Sequence, residues 1–312
     1  VALAEDAVEA FTYLDIPHRT LTDLLKGSPD FGDPVKALMD WAQAREGEAR
    51  LEVLLEAFEL LEEREERSRA TEVLEEAIEC APEPLALMER VVARHIADES
   101  FDSALKWSEE SLTYTYGAEE KAVLLEQIVR LALDECAEPE AAQRAIAQAV
   151  HPQPSIEHLV DYYIDIEDFA QALAWLENLA ETYPHGADRD VILERIGDLA
   201  LSKAGSPEMA ESVLAELRTH WALADRLIDY YQEHGDLRRA ADWLERVGSQ
   251  PEAAVGRETR LERLLDLGLG ELNDVTLGQR AVELSERPAT LIERLIEYHL
   301  SVGELPEALD WL

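Results

Sequence analysis

The sequence predicts an all-α fold, a right-handed α-solenoid of stacked helix-turn-helix hairpins built on a 68-residue double-repeat module. Three observations predict it. Tryptophans stand at 107, 175, 243 and 311, each 68 residues from the last, and they bring their flanks with them: Ala104-Leu105-Lys106-Trp107, Ala172-Leu173-Ala174-Trp175, Ala240-Ala241-Asp242-Trp243 and Ala308-Leu309-Asp310-Trp311. The composition is helix-forming, with Ala, Leu and Glu dominant, only 14 glycines and 13 prolines in 312 residues, and no alternating runs of Val, Ile and Thr. Apolar residues recur at helical spacing: Ala224, Leu227, Ile228 and Tyr231 form one stripe, and Ala240, Leu244 and Val247 another.

Taken in order, the chain begins least regularly, over residues 1–47. There Ile16 to Phe31 reads as an inserted inter-helix connection, with a turn at Thr20-Leu21-Thr22-Asp23-Leu24-Leu25 and a break at Gly27-Ser28-Pro29 before the helix of Trp41. A long connection of this kind in a compact array is a candidate functional loop. From 48 to 312 the hairpins are regular. Each first helix carries an acid, usually a polar or basic residue, two apolar residues and another acid: Glu157-His158-Leu159-Val160-Asp161, Glu194-Arg195-Ile196-Gly197-Asp198, Asp225-Arg226-Leu227-Ile228-Asp229, Glu262-Arg263-Leu264-Leu265-Asp266 and Glu293-Arg294-Leu295-Ile296-Glu297. The leading acids step alternately by 37 and 31 residues, which sum to one module, and looser copies continue backward through Glu126, Glu89 and Glu52 toward Glu5-Asp6-Ala7-Val8-Glu9.

The second helices alternate between a tryptophan type and a type without it, the latter expected at Thr71 to Glu79, Glu140 to Ala149, Glu208 to Leu217 and Val275 to Ser285. Gly235-Asp236, Gly205-Ser206-Pro207, Glu138-Pro139 and Gly303-Glu304 mark turns within hairpins. Pro82 to Pro84, Pro152 to Pro154, Pro184 to Gly186 and Gly248 to Pro251 mark those between them. Pro139 and Pro207 suit the first turn of a helix, where the missing N–H costs nothing. One hairpin cannot cover both of its apolar stripes, so the sequence predicts a single continuous body whose units fold only against neighbours. Alanine at 104, 172, 240 and 308 permits close approach of the paired helices. Ala240→Leu is therefore expected to overpack and cost about 1–3 kcal/mol, and unchanged melting of that variant would count against the helix pairing.

The net charge is −40, from 68 acidic and 28 basic residues. Such a surface disfavours nucleic acid and anionic membrane, and favours basic partners, unless the acidity serves only solubility or a salty habitat. No apolar run is long enough for a membrane span and no signal peptide is present. A cytoplasmic setting is the expectation, although a chain that starts at Val1 and stops at Leu312 inside a repeat reads as a piece of a longer protein. Cys80 and Cys136 have neither metal-ligand nor redox spacing and are expected to be buried free thiols.

Gly235-Asp236-Leu237 followed by Ala240 and Trp243-Leu244 resembles the tetratricopeptide repeat, a helix-turn-helix unit half as long as the module, with a glycine-aspartate turn and a small residue opening its second helix. Tyr163 and Tyr231 agree with the same pattern, and the resemblance covers nearly the whole chain. It departs in the first helix, where Val92, Val160, Ile228 and Ile296 replace the small residue that Gly197 keeps, so altered inter-helix angles are expected. The resemblance implies that first helices line a concave surface that binds peptides.

On that reading Glu89, Glu157, Asp161, Asp225, Asp229, Gln232, Glu293 and Glu297 are the candidate binding residues, a row of carboxylates suited to Lys- or Arg-rich segments. The bland alternative is a solvated helix face of weak ion pairs. Trp107, Trp175, Trp243 and Trp311, with Ala104, Ala172, Ala240 and Ala308, are expected to be structural anchors, the rings wedged between hairpins rather than stacking on a ligand. Of the tyrosine pairs Tyr162-Tyr163 and Tyr230-Tyr231, one ring is expected to pack and the other to face the groove. His151 and His158 straddle prolines and make a poor metal pair. No phosphate loop, zinc-protease pattern or nucleophile elbow is present, so no catalysis and no cofactor are expected. The function predicted is a protein–protein interaction scaffold with an acidic concave groove. The alternatives are a structural spacer or self-assembly segment, with end-to-end association of the solenoid, and more weakly an α/α-toroid acting on glycans.

Overall fold

Stripes of the spacing above give helices, and their second apolar faces force those helices to pair. In the computed structural model no strand occurs among the described residues, which are 1–10, 12, 14–27, 32–217, 221–250 and 255–312. The helices group into two units, Val1–Ser155 and Ile156–Leu312. The first holds α1 (Ala2–Ala10), α2 (Asp15–Gly27), α3 (Pro34–Gln43), α4 (Gly47–Glu63), α5 (Arg67–Cys80), α6 (Leu85–Ala97), α7 (Phe101–Ser111), α8 (Ala118–Arg130) and α9 (Pro139–Ile146). The second takes most of α10 (Gln153–Asp165), then α11 (Phe169–Thr182), α12 (Ala187–Leu199), α13 (Pro207–Glu216), α14 (Trp221–Glu233), α15 (Leu237–Gly248), α16 (Arg257–Leu269), α17 (Val275–Leu284), α18 (Ala289–Val302) and α19 (Leu305–Asp310).

Within each unit consecutive helices pack together, α4 on α5 and α6 on α7 in the first, α14 on α15 and α16 on α17 in the second. Alternate helices also touch, α12 with α14, α15 with α17 and α16 with α18. Contact to the next helix and to the next but one is the pattern of hairpins stacked in line, an α-solenoid. The apolar stripes meet in this stack: Leu227, Ile228, Tyr231, Ala240, Leu244, Leu261, Leu264 and Leu295 share one core in the second unit, and Leu38, Leu54, Leu61, Leu74 and Met88 share one in the first. Ala104, Ala172 and Ala240 are wholly buried and Ala308 nearly so.

The connection expected over Ile16 to Phe31 is not a loop between 16 and 27. That stretch is α2, because His18, Leu21, Thr22 and Leu25 lie at i, i+3, i+4 and i+7 and are buried together. Two β-branched residues are accommodated because Thr20 Oγ1 donates to the Ile16 carbonyl at 2.7 Å and Thr22 Oγ1 to that of His18 at 3.0 Å. Of the break expected at Gly27-Ser28-Pro29, Gly27 ends α2, while Ser28 and Pro29 lie outside the described residues, as does Pro251.

Turns within hairpins come in two kinds. Glu65, Glu99, Glu167, Gly235 and Gly303 have positive φ, and the N–H of the following residue returns to a carbonyl five positions back, as in Ser100 to His95 and Asp236 to Tyr231. This is the Schellman closure. At Ala137, Gly205 and Asn273 the closing bond is one residue longer, from Glu138 to Ala132, Ser206 to Ala200 and Asp274 to Gly268. Leu131–Glu135 and Ala200–Ala204 are π-helical there. The extra residue shifts the signature: the leading acid precedes the positive-φ residue by ten positions at Glu157, Asp225 and Glu293, and by eleven at Glu194 and Glu262.

Candidate functional site

The signature acids on the first helices of the second unit are largely occupied by the arginine of the next signature. Arg195 on α12 donates to Asp161 on α10 at 2.5 Å, Arg226 on α14 reaches Asp198 on α12 at 2.7 Å, and Arg263 on α16 donates to Asp229 on α14 at 2.5 Å. Arg294 on α18 closes on Asp266 of α16. The spacing that repeats in sequence is thus a set of ties from each first helix to the next. Each is largely exposed and worth at most about 1 kcal/mol.

The predicted binding residues divide accordingly. Asp161, Asp225 and Asp229 are each ion-paired, and Gln232 accepts a second bond from Arg263 at 2.7 Å. Glu89, Glu157, Glu293 and Glu297 are exposed and, among the described residues, have no cation within ion-pairing distance. The two halves of the signature therefore do different jobs. The second acid binds the neighbouring hairpin at Asp161, Asp198, Asp229 and Asp266, while among the described residues the first has no cation at Glu157, Glu262 and Glu293.

Two leading acids are paired, Glu194 with Arg226 at 3.5 Å and, more closely, Asp225. Both of its oxygens accept from Arg260 at 2.7 Å, and this guanidinium also donates to the Val255 carbonyl at 2.9 Å. The arginine side chain is 7% exposed against 36% for the aspartate. Sequence reading missed Arg260 because it stands where the module elsewhere has Leu124 and Ile192; an arginine in an apolar register was the available signal.

A second set of ties joins second helices. Trp107 Nε1 donates to Glu75 on α5 at 3.1 Å and Trp243 Nε1 to Glu211 on α13 at 2.9 Å. Each carboxylate is shared with the last turn of the intervening first helix, through His95 at 2.8 Å or Tyr231 Oη at 2.7 Å. These half-buried tryptophans hold one hairpin to another, and the tyrosine pair splits, with Tyr231 buried and Tyr230 stacked on His234 at 4.0 Å. Cys80 and Cys136 are free thiols, half-buried rather than buried. Among the described residues no group of His, Cys, Asp and Glu is placed to hold a metal. No helix among them is long and apolar enough to cross a membrane.

Burial, and then the hydrogen bond to Glu211, push the Tyr231 phenol up from 10.0 to about 12. An unfolded chain gives up that proton near pH 10, whereas the native state holds it to the higher value. Stability from this group is therefore complete below pH 10 and is lost as pH rises through 12, by up to about 3 kcal/mol. Thermal melts of the parent and Tyr231→Phe across pH 8 to 12 are expected to show the parent's advantage shrinking in that window. A constant gap would contradict the assignment.

The repeating unit combines a glycine- or glutamate-aspartate turn in the left-handed region, a buried alanine opening the second helix, and turns at Glu65 and Glu99 that stand 34 residues apart. The fold is tetratricopeptide-like. No protein-family model matches the chain, and no curated protein matches it in sequence. Solved structures with a similar helical arrangement include a tetratricopeptide repeat protein from Parabacteroides merdae, 16% identical over 80% of this chain and 98% of that one, with a TM-score of 0.31. The C-terminal part of a TPR repeat-containing protein from Cytophaga hutchinsonii is 12% identical over 82% of this chain and 98% of that one, TM-score 0.31. A structure of Naa15/Naa10 bound to HypK-THB is 11% identical, covering 97% of this chain and 47% of that one, TM-score 0.40.

Proposed function

We propose that this chain is a non-catalytic protein–protein interaction scaffold whose first helices offer an acidic groove to Lys- or Arg-rich segments of a partner. The observation that carries the reading is a set of signature acids left over from the ties: Glu157 beside the paired Asp161 on α10, and both Glu293 and Glu297 on α18, are exposed and, among the described residues, have no cation within ion-pairing distance. Carboxylates held at fixed intervals by a rigid stack attract a basic segment without reorganising, and give it register. The test is binding of a Lys/Arg peptide to the full chain as salt is varied. Affinity is expected to fall steeply with salt and to weaken in a variant combining Glu157→Gln, Glu293→Gln and Glu297→Gln; indifference to both would overturn the reading.

The spacer or self-assembly reading is favoured by one observation, the exposed Leu300, Leu305 and Leu309 on α18 and α19. Sedimentation over a wide concentration range tests it: a mass that grows with concentration, and returns to the monomer's in Leu305→Glu/Leu309→Glu, supports self-assembly.

A further inference from the structure

Between α6 and α8 lies a cleft of about 570 Å³, within the range of roughly 300–1,000 Å³ usual for binding pockets. Its origin is visible in the module register. At the positions 68 residues apart where later copies have the ion pairs Asp161–Arg195 and Asp229–Arg263, the first copy has Ala93 and Gln127, and both line the cleft. On its floor Ser111 stands where later copies have the buried Leu179 and Val247. Both the tie across the first helices and the filler beneath it are missing at this junction. Apolar surface is left facing solvent there, with Val123 67% and Ile96 37% exposed.

We propose that this gap is the docking site for a partner segment, a helix presenting bulky aliphatic or aromatic side chains along one face with Lys or Arg beside them. The proposal rests on the scaffold reading above and gives it a place and a chemistry. A second hollow of about 380 Å³ shares Ile96, Val123 and Gln127 with the cleft, so the trough runs along α8 and on into the π-helical turn after it, from Glu119 to Glu135. That span is about 24 Å at a helical rise of roughly 1.5 Å per residue, the shape of a peptide helix rather than of a compact small molecule. Glu89, Glu119 and Glu120 line the cleft without a basic residue, and in the second hollow Arg130 is paired with Glu126 at 2.6 Å beside Asp134 and Glu135, so the flanks of the occupant are cationic. A second copy of this chain, at a net charge of −40, is a poor match for this acid-rimmed cleft.

The probe is a fluorescein-labelled 16-residue peptide with Leu at i, i+3, i+4 and i+7 spacing and Lys elsewhere, titrated into the full chain. Its Leu→Ser and Lys→Glu analogues are run beside it. The Leu/Lys peptide is expected to bind in the micromolar range, and both analogues at least tenfold more weakly. Installing the later copies' own residues, Ser111→Leu with Ala93→Asp and Gln127→Arg, is expected to cost at least tenfold in affinity while melting stays unchanged or rises. Val123→Lys, on the exposed lip, is expected to do the same without touching the core. Binding that ignores these substitutions, or equal binding of the Lys→Glu peptide, overturns the proposal, as does absence of binding. If the Leu→Ser peptide binds as well as the Leu/Lys one, the cleft proposal fails while the acidic-groove reading stands.

Discussion

Asp225→Ala is expected to destabilise the chain by about 2–4 kcal/mol, far more than the same change at Asp229, where about 0–1 kcal/mol is expected. The two aspartates sit one helical turn apart on α14 and look alike in the sequence. What separates them is the exposure of the partner. Arg263 keeps 29% of its side chain in water and loses little when its acid is removed. Arg260, at 7%, loses the carboxylate that takes two of its donors while little of its charge reaches water. Breaking a fully buried pair from one side costs about 3–5 kcal/mol, and the partial exposure of Asp225 lowers that somewhat. Urea denaturation of both variants reads the difference directly; equal midpoints would mean that Arg260 finds other compensation.

The hairpin Trp221–Gly248, cut out as a peptide, is expected to be mostly unfolded in water, with weak helical circular dichroism and no cooperative melt. Its two helices have 13 and 12 residues, at the length where isolated helices are marginal. Ordering the chain costs about 1–2 kcal/mol per residue, and the apolar faces that repay this are covered in the protein by side chains from outside the peptide. Ala210 comes from the hairpin before, and Leu261, Leu264 and Leu265 from the one after. Excision also removes Glu211 from Trp243, Arg260 from Asp225 and Arg263 from Asp229. A sharp melt of the isolated hairpin would mean that its own helix pair suffices.

The helices and their pairing were legible because periodicity is a local signal. The stripe of Ala224, Leu227, Ile228 and Tyr231 is buried as its spacing requires, and the tryptophan register places every later turn. The exception was α2, whose threonines and closing Gly27 read as turn chemistry until the backbone bonds of Thr20 and Thr22 are seen to absorb their hydroxyls. The surface was less legible for a physical reason. An acid at i and i+4 fixes the helix face, but whether it is free depends on a residue about 30 positions away across a hairpin, as Arg263 is from Asp229. The arginine at the second signature position carried that information in plain view. The cleft at Ser111 was also written in the register, as a small residue where the later copies have Leu179 and Val247, but a deficit of volume has no signature until the neighbours are placed.

Central to the account is that the second acid of the signature, at Asp161, Asp198, Asp229 and Asp266, is a tie to the next hairpin. The measurement that reaches it most directly is the thermal stability of Asp229→Arg, Arg263→Asp and the doubly exchanged chain. Each single change should lower the melting temperature by setting like charges against each other, and the exchange should recover most of the loss. Independent, additive effects with no recovery in the exchanged chain would contradict it.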